Sequence, residues 1–200
     1  METAIITWKT IHEHGDLWWQ HHCLRKALFV DEMKWQIPHT DQVEWDQYDT
    51  GATTYVVSHQ NGRALAASRL IPCSFNSCDW SYMIRDASLG KLPGIPTEIC
   101  DSPPTDSDTL EATRFTVDPL LAPEERNAVL THNALALASH ARATGVQRLI
   151  ALMPPAYIRW LTGIGLPSRR YGPTLRTPEG NRICAIEMPI SYATIAKQSA

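Results

Sequence analysis

LRKALFVDEMKWQIPHTDQVEWDQYD, from Leu24 to Asp49, opens with the register of a helix face, passes Trp35 and Pro38, and closes on three carboxylates, Glu44, Asp46 and Asp49. Trp45 and Tyr48 are interleaved with those acids, and Arg25, Phe29 and Trp35 precede them. An acidic loop that serves only solubility has no need of interleaved aromatics, so the mixture points to a lined pocket. Read by itself, the stretch fits a site and a solvated connector equally well, and the rest of the chain has to decide.

Upstream, Asp16 can cap a helix beginning at Leu17, with Leu17, Cys23, Leu24, Ala27 and Leu28 as its buried stripe. Arg25 and Phe29 then share one side, four residues apart. The helix should end before the Lys34–Asp41 region, where Pro38 blocks continuation. Ala4–Trp8 reads as a strand. Downstream, Thr53–Ser58 and Ala64–Ile71 form a hairpin around Asn61-Gly62, which places Arg69 near the end of its second strand. Residues 72–109 carry a short helix, Tyr82–Leu89, and a proline-rich run that predicts an irregular, mobile or functional excursion. LEATRFTV, Leu110–Val117, is a further strand. Straight alternation puts Glu111, Thr113 and Phe115 on one face and Arg114 on the other, so only a bend or bulge could turn Glu111 and Arg114 to one site. Glu124–Arg142 is the most strongly patterned helix, with Pro123 at its start and Gly145 as its stop. Val146–Met153, a short helix to Trp160 or Leu161, and strands at Leu166–Tyr171 and Arg182–Pro189 complete a mixed α/β order.

Two hundred residues can bury a sizeable core, and the expectation is one domain over residues 1–200. Five scattered cysteines form neither a disulfide framework nor a metal signature, and adjacent His21 and His22 point in different directions on a helix, so no metal is expected. A net charge of −3 gives no reason to expect nucleic acid. No apolar run spans a bilayer and no leader pattern is visible, so the reading is cytoplasmic, without integral membrane association. Positive charge nevertheless gathers in the last third, where Arg142, Arg148 and Arg159 could meet an acidic partner.

There is no GxSxG elbow, HExxH motif, Walker loop or dinucleotide fingerprint. Acyl transfer to an amine needs none of these when the activated acyl group arrives on one substrate and the nucleophile on the other. Glu44, Asp46, Asp49 and Glu111 can orient an ammonium or take a proton. Arg25, Arg69 and Arg114 can hold carboxylates, while Phe29, Trp35, Trp45 and Phe115 can exclude water. Each has a plainer competitor: Phe29 and Phe115 as core, Trp45 as a surface anchor, Arg25 and Arg114 as loop braces.

RKALF (Arg25–Phe29), Trp35, EWDQYD (Glu44–Asp49), SRL ending at Leu70, EATRF (Glu111–Phe115) and RLIALMPPAYIRWL (Arg148–Leu161) together resemble the acyl-homoserine-lactone synthases of the LuxI type, over nearly the whole chain. The resemblance implies an acetyltransferase-like (GNAT-related) three-layer α/β/α fold with a twisted mixed sheet and splayed central strands. It implies S-adenosylmethionine as a substrate, with no tightly bound cofactor, and acyl-acyl carrier protein as donor, acyl-coenzyme A being the alternative. By resemblance Glu44, Glu111, Asp46 and Arg114 are catalytic candidates, with Glu44 the leading base. Arg25, Phe29, Trp35, Asp49, Arg69, Phe115 and Met153 are substrate-binding candidates, and Arg142, Arg148 and Arg159 carrier-binding ones. The sequence departs from the family pattern at Thr113, where serine is common, at Met153, where members handling 3-oxo chains carry threonine, and in the Pro/Ser/Asp-rich run from Pro96 to Asp108. A related coenzyme A-dependent N-acyltransferase is the competing enzyme, but LLAPEER (Leu120–Arg126) lacks the glycines its pyrophosphate loop would require. A noncatalytic descendant is the other alternative.

Overall fold

The computed structural model describes residues 1–190. The elements, in order, are β1 (Glu2–Thr7), α1 (Leu17–Arg25), β2 (Thr54–Gln60), β3 (Arg63–Pro72), α2 (Met83–Ser88), β4 (Thr109–Val117), α3 (Pro123–Ala143), β5 (Arg148–Met153), α4 (Tyr157–Gly163), β6 (Arg169–Arg170), β7 (Leu175–Arg176) and β8 (Arg182–Pro189). Two compact units share them, Met1–Ile71 with Ala112–Leu137, and Pro72–Glu111 with Ala138 onward. β4 and α3 each run through both. The expected single domain over 1–200 reaches into residues 191–200, which lie outside the described ones.

In the first unit β1, β2 and β3 pair antiparallel. Asn61 and Gly62 both take positive φ, 51° and 76°, so the turn has the twist that two-residue hairpins need. A bulge at Ser58/His59 then shifts the register, so that Tyr55 pairs with Arg69. Ala4, Ile6, Leu17, Tyr55, Val57, Ala64 and Ala67 form one buried cluster, against which Ile11, Trp18 and Leu24 pack. Burial on that scale, at about 25 cal/mol per Å2 of apolar surface, is what holds α1 against the sheet.

The predicted helix from Leu17 is present, but from Lys26 to Glu32 it continues as a π-helix. Its wider turns end where the Met33 N–H donates to the Leu28 carbonyl at 2.9 Å. Such widened turns recur at functional sites. Here Phe29 is buried in that segment while Trp35 stacks on it.

The second unit has a parallel β4–β5 pair, joined by α3 as the crossover that parallel strands require, and antiparallel β8 pairing with β5, β6 and β7. Residues 72–109 are more structured than their prolines imply. Besides α2 they hold a 3-10 turn at Thr97–Ile99, and Tyr82, Ile84 and Ile99 are fully buried. The predicted strand Leu166–Tyr171 contracts to β6, and β7 forms inside the turn-rich segment that follows. Just past β6, a Cβ at position 172 would collide with the Ile99 carbonyl, so only Gly172 fits there. Among the described residues no helix is long and apolar enough to cross a membrane, and none of their His, Cys, Asp and Glu groups could hold a metal ion.

Candidate active site

The first unit brings together six of the predicted charged residues. Arg25, at the end of α1, donates from Nε to Glu44 Oε2 at 2.5 Å and, as a fork, from Nη1 and Nη2 to the two oxygens of Asp49 at 2.8 and 2.9 Å. Arg69, on β3, donates from Nη1 and Nη2 to Asp46 at 2.5 and 3.2 Å and from Nε to Thr113 Oγ1 at 3.0 Å. Arg114, on β4, reaches Glu44 Oε1 at 3.2 Å and Asp46 Oδ2 at 2.7 Å. Three cations and three anions thus interlock in one buried network. Arg25 and Arg69 are each 1% exposed and Glu44 0%, so water reaches the network chiefly at Arg114, whose side chain is 11% exposed.

Local sequence explains the placement. The Asp46 N–H donates to Asp49 Oδ2 and the Tyr48 N–H to Asp46 Oδ1, so the carboxylates fold their own loop before meeting the arginines. Thr113 and Arg114 are consecutive on β4, yet both side chains reach the network. That is possible because Arg114 has φ of +53°, a left-handed conformation in which alternation breaks. EATRF does depart from straight alternation, at Arg114. Glu111 lies in the other unit, fully buried, and its two oxygens accept the N–H groups of Met83 and Ile84 at 2.8 and 2.7 Å. It caps α2, which has no side-chain cap of its own.

Burial by itself would raise the Asp49 pKa. The Arg69 and Arg25 charges, with hydrogen bonds from Arg25 and the Asp46 amide, overcome it and hold the carboxyl well below the usual carboxylate range. Asp46 is lowered in the same way, burial being outweighed by Arg69 and Arg114. Arg69 moves oppositely, raised by Asp46 and Asp49 against its own burial.

The network has an open, aromatic edge. Phe29 and Trp35 stack at 4.9 Å with planes 12° apart, and the Arg114 guanidinium lies 5.5 Å from the Phe29 ring centroid. Trp35 and Trp45 remain 40% and 51% exposed. Exposed tryptophans beside a buried ion network offer a flat apolar surface to a cationic or aromatic ligand. Phe115 is half-buried on β4.

Met153, Arg142, Arg148 and Arg159 are in the second unit. Met153 is buried on β5, opposite Cys184. Arg148 is engaged internally: it donates to Thr109 Oγ1 at 2.6 Å and pairs with Asp106 at 2.9 Å and Glu187 at 3.5 Å. Arg142 and Arg159 are exposed.

Sequence reasoning missed two partners of this network. Tyr55 donates its hydroxyl to Asp49 Oδ1 at 3.0 Å. His22 Nδ1 lies 2.9 Å from the Glu44 carbonyl oxygen, tying α1 to the acidic loop. The adjacent His21 is buried against the Tyr55 ring, 4.3 Å between centroids, and neither of its ring nitrogens meets a well-aligned partner.

Burial, then the positive charges of His22 and Arg25, lower the His21 pKa well below its ordinary value, against a weaker opposing pull from Asp49. His22 is lowered too, chiefly by burial. A group depressed in the fold binds its proton more readily unfolded, so its stabilisation is complete above about pH 6.5 and drains away below it. Melting temperature should therefore fall from pH 7.5 to pH 5.5, and His21→Leu should make that fall shallower. An equal slope in parent and variant would show that His21 does not contribute.

Comparison with known proteins gives the family and the fold. An autoinducer synthase family profile matches residues 9–197. An acyl-homoserine-lactone synthase of Pseudomonas amygdali pv. tabaci is 31% identical over 175 residues, 84% of this chain and 70% of that protein. The crystal structure of TofI in a ternary complex with an inhibitor and MTA aligns with a TM-score of 0.77 at 23% identity, over 98% of this chain and 95% of the other. A Lactobacillus plantarum protein assigned to the N-acetyltransferases aligns at 0.59 and 14% identity, over 95% and 99%. At those identities the structural matches speak to the fold, which is the acetyltransferase-like α/β arrangement around a mixed sheet. Profile and close relative together place the chain: it belongs to the autoinducer synthase family.

Proposed function

We propose that the chain synthesises N-acyl-homoserine lactone, a quorum-sensing signal, from S-adenosylmethionine and a thioester-bound acyl group. The carrying observation is the buried, charge-balanced network with its aromatic edge, in a chain of this family. The methionine amine, once deprotonated, attacks the thioester carbonyl; the tetrahedral species collapses to an amide and releases the carrier thiol. The methionine carboxylate then attacks its own γ-carbon, forming the ring C–O bond as the C–S bond to sulfonium breaks and methylthioadenosine leaves. Orientation within the site accounts for much of that closure.

Glu44 takes the amine proton in this reading. It is fully buried with both oxygens engaged by Arg25 and Arg114, so transfer runs through a bridging water. Asp46 and Asp49 fix the arginines, Arg114 stands at the open edge, and Phe29 and Trp35 pack beside the sulfonium. Glu111 is given no proton transfer in this reading, because it holds the start of α2, whereas Glu44 shares Arg114 with the aromatic edge.

Purified protein given S-adenosylmethionine and a panel of acyl carriers should release methylthioadenosine and lactone in equal amounts. Folded protein that binds donors yet yields no lactone from a broad panel would overturn the reading. Met153, in place of a threonine, favours acyl chains without a 3-oxo group, and the ranking of products reads this directly.

Acyl carrier protein is the proposed donor. Its surface shifts from Arg148, which is paired internally, to a groove of about 570 Å3 where Arg159, Arg170 and Arg182 surround Pro155, Ile158 and Thr162. None of the three arginines makes an ion pair among the described residues, and no acid lines the groove, so it complements an acidic partner. Arg159→Glu combined with Arg170→Glu should raise KM for the acyl carrier by about tenfold or more, by slowing encounter, and leave KM for S-adenosylmethionine in place. An unchanged carrier KM would move docking elsewhere.

A further inference from the structure

His22 precedes Arg25 by three residues, so the two share a face of the last turn of α1. That turn grips Glu44 at three points. Arg25 Nε holds its carboxylate at 2.5 Å, the Glu44 N–H donates to the His22 carbonyl at 3.3 Å, and His22 Nδ1 meets the Glu44 carbonyl at 2.9 Å. A carbonyl only accepts, so Nδ1 carries the proton and the neutral ring donates. His22 is 0% exposed and its Nε2 has no partner, which costs stability that a wholly apolar ring would not. Its surroundings are rings, His21 at 3.9 Å, Trp18 at 4.9 Å, Tyr55 at 5.9 Å and Trp45 at 6.1 Å between centroids.

We infer that His22 is a positioning residue for acyl transfer: its Nδ1–H fixes the backbone of Glu44, and with it the direction of the carboxylate. The inference rests on the reading of Glu44 as proton acceptor. A ring kept only for packing needs no donor, whereas a ring kept to aim Glu44 needs the donor more than the volume.

The test is therefore a ranking. His22→Phe keeps an aromatic ring, somewhat larger than the imidazole, and removes the donor, the melts showing whether the added bulk disturbs packing; His22→Asn loses volume but places an N–H near the position of Nδ1. Single-turnover rates at saturating S-adenosylmethionine and acyl carrier are measured for both, in the parent and in the Glu44→Gln background, with melts and S-adenosylmethionine binding to establish folding. His22→Phe should slow acyl transfer about 10- to 100-fold with little change in KM for S-adenosylmethionine, the size expected for a misaimed group. His22→Asn should recover much of that loss although it packs less well. Adding His22→Phe to Glu44→Gln should slow the reaction no further, since both act through one group. Parent rate in His22→Phe, or His22→Asn slower than His22→Phe, would overturn the inference and leave the Glu44 reading standing. Parent rate in Glu44→Gln overturns that reading first, and the inference with it.

Discussion

Arg69→Met should lower the stability of the protein by about 3–5 kcal/mol, the cost of leaving buried partners unpaired. Arg69 is 1% exposed and holds Asp46 through two hydrogen bonds, with Asp49 at 3.1 Å and Thr113 as its remaining partner. Methionine fills much of the volume but answers neither carboxylate. Both acids are held below the ordinary carboxylate range by Arg69, so removing it raises their affinity for protons in the folded state. In the parent, this depression contributes stability that is complete above about pH 4 and is lost as pH falls through the depressed values. Chemical denaturation of parent and variant at pH 7 and about pH 3 should show the difference shrinking toward the acid side. A loss below about 1 kcal/mol at pH 7, the scale of an exposed pair, would mean that water reaches the network.

Glu44→Gln should slow acyl transfer by about 100- to 10,000-fold with both substrates saturating, the range set by losing a general base. Glutamine keeps the shape and can still accept from Arg25 through its carbonyl oxygen, so S-adenosylmethionine binding should weaken far less. The product ratio carries the second half of the test. Ring closure needs no base at Glu44, so whatever is acylated should still appear as lactone with equal methylthioadenosine. Acyl-homoserine released without closure would instead place Glu44 in the second step.

Much of the site was legible because its residue types are costly to place anywhere else. Arginine beside carboxylate within an apolar and aromatic stretch is a pattern that ordinary surface chemistry does not require, and Arg25, Glu44, Asp46, Asp49, Arg69 and Arg114 did converge. What sequence could not deliver was register. An unbroken hairpin around Asn61-Gly62 pairs Tyr55 with Ser68, which leaves Arg69 on the opposite face from that tyrosine. The bulge at Ser58/His59 advances the pairing by one residue, puts Arg69 beside Tyr55, and makes Tyr55 a partner of Asp49. Nothing in TYVVSHQ announces a bulge there, so Tyr55 is not legible as a partner. His22 is hidden for a different reason: a His-His pair points to a metal, whereas its partner is a backbone carbonyl, which carries no sequence signature.

Glu111 shows the converse case. Its spacing from Arg114 suggested a shared site if β4 bent, and β4 does bend at Arg114. The bend frees Arg114 from strand alternation, while Glu111 stays within the regular part and meets the exposed amides at the start of α2. A carboxylate of the right type at the right spacing was a helix cap, and only the backbone conformation one turn of chain away could tell the two apart.

The charge balance of the site also bears on how its ligands arrive. Three arginines and three carboxylates sum to zero, so beyond a Debye length of about 8 Å the network exerts little pull and should not draw a cationic ligand from solution. Capture of S-adenosylmethionine is then a short-range event, and its association rate should be nearly indifferent to ionic strength. The groove at Arg159, Arg170 and Arg182 is uncompensated, and its field extends as far as salt permits. If the carrier docks at that groove as proposed, the two substrates should arrive by different physics, a local fit for the small one and a long-range field for the large one.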